Sequence, residues 1–304
     1  MTARLRLGDL LRAGARGLSR YTGTLLAVFV VQSLVAVAAM AAIAVVLMRA
    51  FAHLPMFDDA VDGDLVKLIL CLRYARSSFV AIGGIVTGAL LLWMLASWFL
   101  AGGMIGVLAK KPEGRADTAR AFGAGGAATY LAYARLALCA LPSYVIVLFA
   151  FTVGYGAAAP SFEHPALSPW ELFAPLALAL LPAVVLLHLA WTIVDYARVE
   201  LSLRCEPQPP SVVKTYARAV GFVITRPLAL VHAALGWLAF FAIWLGYAYL
   251  AKGHPMFGAE GAVTLFVIRQ GVSLARTAVR FGVIAGQVEL GKTRQPPPRR
   301  TDAK

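Results

Sequence analysis

Arg269, Arg276 and Arg280 follow one another at spacings of seven and four, which sets three guanidinium groups on roughly one helical face. A guanidinium carries five N–H donors in a planar fork matched to carboxylate and phosphate oxygens. The chemistry this row suits is capture of an anionic group, such as a lipid phosphate. The surrounding letters are apolar from about 262 to 287. At 1.5 Å of rise per residue, Arg269 lies roughly 12 Å along such a helix. An arginine at that depth in hydrocarbon costs about 2.5–3.5 kcal/mol and ordinarily faces a bundle interior or a water-filled cavity. The same letters allow Arg269 to snorkel outward while Arg276 and Arg280 reach the headgroups. Both readings stand at the level of sequence.

Asp195 and Arg198 are three residues apart where another apolar run ends, the spacing of a helical ion pair that would anchor that helix end. Glu200 is close enough to join them. His188 precedes Asp195 by seven residues, and it would either relay a proton towards the carboxylate or hydrogen-bond to a neighbouring helix. His232 has the same structural alternative. Glu171 opens a run at the end where a carboxylate favours a helix N-terminus. No nucleophile–base motif, Walker loop or C-x-x-C occurs, so no catalytic residue is assigned. Five scattered histidines supply no metal site, and no cofactor is implied. The stretch Gly123-Ala124-Gly125-Gly126-Ala127 reads as a flexible joint.

These residues must be held by long apolar elements. Of the 304 residues 60% are hydrophobic and only 14% charged, and mean hydropathy is +0.76. So much apolar surface cannot be kept from water in a soluble fold. Runs at about 21–48, 78–108, 136–155, 171–194, 227–250 and 262–287 reach or approach the roughly 20 residues that cross hydrocarbon. The expectation is an all-α integral membrane protein with six transmembrane helices. Pro142, Pro175 and Pro182 predict kinks in the third and fourth.

The six runs fall into three similar units, about 1–111, 112–206 and 207–292. Each opens with a basic amphipathic stretch containing Arg-Ala: Arg12-Ala13, Arg120-Ala121, Arg218-Ala219. Each closes on related letters: Val107-Leu108-Ala109-Lys110, Val199-Glu200-Leu201-Ser202 and Val288-Glu289-Leu290-Gly291. The units therefore read as parallel repeats, each an amphipathic helix plus a hairpin, within one domain over 1–292. Residues 293–304 read as a disordered, basic, proline-rich cytoplasmic tail.

Lys and Arg flank one side of these runs, except for Arg49, Lys67, Arg73, Arg76 and Lys252 on the other side and Arg269 within a run. Positive charge collects on the cytoplasmic side, which puts both termini there. The net charge of +13 is thus spread beside membrane spans, pointing to anionic lipid headgroups and away from nucleic acid. The excursion near 65–76 is amphipathic and either lies on the outer interface or extends the second span. Cys71, Cys139 and Cys205 form no disulfide or zinc pattern. The first run is longer than a signal-peptide core and reads as a retained span.

Val194-Asp195-Tyr196-Ala197-Arg198, followed by a basic amphipathic stretch and another span, and Ala101-Gly102-Gly103-Met104-Ile105-Gly106 resemble bacterial six-helix inner-membrane proteins. These include proteins similar to the membrane domain of some glycerophosphodiester phosphodiesterases. The acidic, metal-binding phosphodiesterase barrel has no counterpart in this chain, so the resemblance implies a membrane fold without that activity. The function expected is a non-enzymatic scaffold or accessory protein of the bacterial inner membrane. It would act on lipids, a partner membrane protein or a second copy of the chain. The alternative is a transporter or lipid-translocating protein that binds an anionic group near Arg269.

Overall fold

The computed structural model describes residues 5–51, 65–74, 76–162, 169–204, 210–252 and 259–293, and every regular element among them is helical. In chain order these are α1 (Leu7–Arg20), α2 (Thr22–Phe51), α3 (Leu65–Tyr74), α4 (Arg76–Lys110) and α5 (Arg115–Ala158). A 3-10 turn (Ala159–Phe162) follows, then α6 (Pro169–Leu203), α7 (Val212–Thr225), α8 (Pro227–Ala251) and α9 (Ala259–Lys292).

Helices α2, α4, α5, α6 and α8 are long and apolar enough to cross a membrane. Large apolar side chains point outward along them, among them Leu34, Leu90, Phe149, Leu178 and Leu238. Lipid, as apolar as the side chains, is the solvent that tolerates such a surface. The protein is therefore all-α and multi-pass. Helix α9 has 34 residues, about 51 Å at helical rise, but its three arginines make it less apolar than those five.

Local signals account for the helix starts. The Asp9 carboxylate accepts from the Arg6 backbone N–H at 2.9 Å, satisfying a donor at the start of α1. Pro227 occupies the first position of α8, where its missing N–H costs nothing. Helix α1 buries Leu10, Ala13, Gly14 and Gly17, and α7 buries Thr215, Ala219, Phe222 and Val223. Both sets repeat at helical spacing on one stripe, the signature of an amphipathic helix.

The glycine-rich stretch 123–127 departs from the expected joint. It lies inside α5, a single helix of 44 residues and thus about 66 Å long, twice the hydrocarbon thickness. A Cβ added to Gly125 would stand 2.8 Å from the Gly102 carbonyl oxygen and 3.0 Å from the Gly106 Cα. One at Gly106 would come within 2.9 Å of the Ala121 carbonyl oxygen. These glycines let two backbones touch, as small residues do between membrane helices. Helices α5 and α6 also continue through Pro142, Pro175 and Pro182.

The chain divides into two compact units. The first comprises Met1–Gly17, Ala101–Trp237 and Gly282–Lys304. Within it, Gly14 of α1 meets Gly282 of α9, and Ala121 and Gly125 of α5 meet Gly106 and Gly102 of α4. Phe222 of α7 meets Tyr196 of α6, ring centroids 5.0 Å apart. The second unit comprises Leu18–Leu100 and Leu238–Phe281. There α2 and α9 are joined by Ser33 donating to Gln270 at 3.2 Å and Thr277 donating to Gln32 at 2.9 Å.

A paired substitution tests the reading of the glycines. Gly125→Ala should lower stability by about 1–3 kcal/mol, the usual cost of overpacking. Gly123→Ala, which meets nothing within 4 Å, should be neutral or stabilise by up to about 1 kcal/mol through helix propensity. Equal unfolding curves for the two variants in detergent would contradict the close approach.

Candidate functional site

The charged and polar side chains of the first unit gather at the basic ends of α4, α6 and α9. Asp195 of α6 is 4% exposed, and a carboxylate so buried is costly unless paired and hydrogen-bonded. Arg198 Nη1 lies 3.8 Å from its Oδ1, one turn on. Gln287 of α9 donates from Nε2 to Oδ2 at 3.3 Å. The Arg198 guanidinium also sits over the Tyr133 ring of α5, 5.8 Å from its centroid. The Tyr133 hydroxyl donates to the Arg198 carbonyl at 3.1 Å and lies 2.6 Å from Ser202 Oγ, which therefore donates to it. Three helices meet on Asp195 and Arg198.

Glu200 pairs with Arg218 of α7 at 3.2 Å and with Arg204 at 3.6 Å. A small pocket opens beside it, lined by Tyr196, Val199, Glu200, Leu203, Arg204, Phe222 and Gly291.

On the far side of α9, Glu289 holds Lys111 at 2.9 Å and Lys292 at 3.3 Å. Lys111 follows the last residue of α4 with φ 51°, the left-handed region that an L-residue seldom occupies. Its N–H still reaches the Val107 carbonyl at 2.9 Å, ending the helix in an αL cap normally given to glycine. The ion pair holds the lysine there. Burial alone would raise the Glu289 pKa, but the Lys111 hydrogen bond and the charges of Lys292 and Lys111 outweigh it and hold the carboxyl below its usual range.

The arginine row belongs to the second unit. Arg269 is exposed, and its Nε donates to the Tyr247 hydroxyl of α8 at 2.9 Å. Arg276, seven residues on, lies over the Phe240 ring at 5.9 Å. Phe240 precedes Tyr247 by the same seven residues, so both guanidinium groups follow one face of α8. Arg280 is half-buried. His188 belongs to the first unit, and its Nε2 lies 3.2 Å from the Leu230 carbonyl of α8. Facing an acceptor, that nitrogen carries the hydrogen. His188 thus bonds to a neighbouring helix, while Thr192 donates to the His188 carbonyl at 2.7 Å. Cys139 is a free thiol, and Cys205 lies outside the described residues. Among the described residues no group of three or more His, Cys, Asp or Glu could hold a metal.

Gln287, Tyr133, Ser202 and the Lys111–Glu289 pair are the members that sequence reading missed. Gln287 carried the one usable signal: a polar amide on the run that leads into Val288 and Glu289.

The lowered Glu289 pKa fixes the sign of a pH effect. A carboxyl held below its unfolded value adds stability above that value, about 4.5, and the gain is lost as pH falls through the folded value. Wild type should thus unfold at a higher temperature than Glu289→Gln above pH 4.5, with the two curves converging in acid. A difference that persisted at pH 3 would contradict the assignment. No protein-family model, curated protein or solved structure matches this chain.

Proposed function

We propose that the chain is a non-enzymatic protein of the bacterial inner membrane that acts as a scaffold or accessory component. It crosses six times, α9 included, and it is built from three parallel units with both termini in the cytoplasm. The observation that carries this reading is how the amphipathic elements dock. The leader of each unit rests on the closing helix of the preceding one: α5 on α4, α7 on α6, and α1 on α9. The last contact sets Gly14 of α1 against Gly282 of α9. Corresponding positions agree in burial: Ala13, Ala121 and Ala219 are buried, as are Val107, Val199 and Val288. The arginine before the alanine is turned out in the first two units, Arg12 and Arg120 being 79% and 81% exposed, whereas Arg218 of the third turns to Glu200. Docked helix ends presenting cations at the membrane surface are suited to hold anionic headgroups, at about 1 kcal/mol per cation. They are equally suited to present a fixed surface to a partner membrane protein or a second copy. The resemblance to the membrane domain beside glycerophosphodiester phosphodiesterases fits a membrane component.

A second reading, a lipid-translocating or anion-binding protein, is favoured by Arg269. It is exposed on a long helix and is hydrogen-bonded to a neutral tyrosine, with no ion pair to it among the described residues, so its charge is open to an anionic group. One experiment separates the two. Protein is released from vesicles of phosphatidylcholine and phosphatidylglycerol, and the retained anionic lipids are counted by native mass spectrometry. The scaffold reading expects Arg12→Gln combined with Arg120→Gln to reduce the count and Arg269→Ala to leave it unchanged. The reverse pattern supports translocation through the Arg269 site. No change in either variant would contradict both.

A further inference from the structure

Away from Arg269, the pocket between the ends of α6, α7 and α9 has the chemistry of a binding site. Tyr196 lines it and is only 3% exposed, yet its hydroxyl has no hydrogen-bond partner among the described residues. Burying a hydroxyl in that state is costly, and a ligand bringing an acceptor would satisfy it. The neighbouring groups are donors as well. Arg204 lines the same pocket, reaching Glu200 at 3.6 Å. Arg226 lies over the Phe222 ring at 4.9 Å, and Phe222 packs on Tyr196. Arg226 also donates to Thr293 at 3.1 Å. The carboxylate in the pocket, Glu200, is already neutralised by Arg218 and Arg204. Gly291 forms part of the wall. A Cβ there would stand 2.7 Å from Val199 Cγ1, so this side of the pocket is backbone.

We propose that this pocket is a phosphomonoester site, in which Tyr196, Arg204 and Arg226 each donate to one terminal oxygen of a phosphate dianion. A phosphomonoester has three terminal oxygens for three donors, whereas a carboxylate or a phosphodiester has two. Charge-assisted bonds of this kind are about twice as strong as neutral ones. The pocket is small, so the phosphate sits at its mouth and whatever the phosphate is attached to lies outside. At the edge of a membrane span that remainder is the glycerol of phosphatidic acid; in solution it is absent, as in free phosphate.

The test uses the full chain in neutral detergent with short-chain phosphatidic acid, short-chain phosphatidylglycerol and inorganic phosphate as probes, followed by calorimetry. Phosphatidic acid should bind saturably. Tyr196→Phe and Arg204→Gln should each weaken it about tenfold, the loss of one hydrogen bond to a charged group. Tyr196→Phe removes an unpartnered hydroxyl from an otherwise unchanged ring, so the unliganded variant should melt no lower than wild type; it keeps the test valid if Arg204→Gln fails to fold. Competition by inorganic phosphate at similar concentration identifies the phosphate alone as the ligand, and weak competition identifies the lipid. Equal affinity for phosphatidylglycerol, or undiminished binding by Tyr196→Phe, would overturn the proposal. Neither variant touches Arg12, Arg120 or Arg269, so the outcome is separate from that of the vesicle experiment.

Discussion

Helices in lipid gain nothing by hiding hydrocarbon from water, because the acyl chains are as apolar as leucine. Association then rests on close packing and on polar contacts between helices. In this protein the close packing is concentrated where backbones meet through missing side chains. Gly102 and Gly106 face Gly125, and Gly14 faces Gly282. The fully buried Leu10, Val107, Val199, Val223 and Val288 lie in the same unit, which is also where Asp195, Glu200 and Gln287 are buried. A buried carboxylate is tolerable only while Arg198, Gln287, Arg204 and Arg218 are held in reach, and that requires fixed helix ends.

The second unit relies on the other means, polar bonds between helices whose apolar sides face outward. Ser33 to Gln270 and Gln32 to Thr277 tie α2 to α9, at about 0.6–2 kcal/mol each by membrane-protein measurements. Tyr247 and Phe240 take Arg269 and Arg276 on the α8 side. So α9 uses two faces, one amide- and hydroxyl-bearing and one cationic, each repeating at seven residues.

Sequence carried five of the long apolar helices and the amphipathic α1 and α7, because hydrophobic run length and charge placement are local properties. It showed the Arg-Ala pairs only as an echo between units; that Ala13, Ala121 and Ala219 are buried is seen in the structure. It did not carry the role of residues 123–127. Glycine serves equally as a joint or as a contact surface, and only the facing Gly102 and Gly106 decide between them. Glu200 shows the same limit. Its spacing allows Arg198 or Arg204 as a partner, but Arg218, contributed by a separate helix, completes the pair it makes. The pocket at Tyr196 was invisible for a related reason: an orphaned hydroxyl is a property of its surroundings.

The central claim is that the basic helix ends lock together so that the first and last parts of the chain adjoin. Zero-length carbodiimide cross-linking of the unmodified protein, read by peptide mass spectrometry, tests this directly, because Lys111 and Glu289 already stand 2.9 Å apart and both reach the surface. The account predicts an isopeptide bond between Lys111 and Glu289 as a dominant intramolecular product. Glu289 linked to Lys292 alone, with Lys111 free of it, would contradict the account.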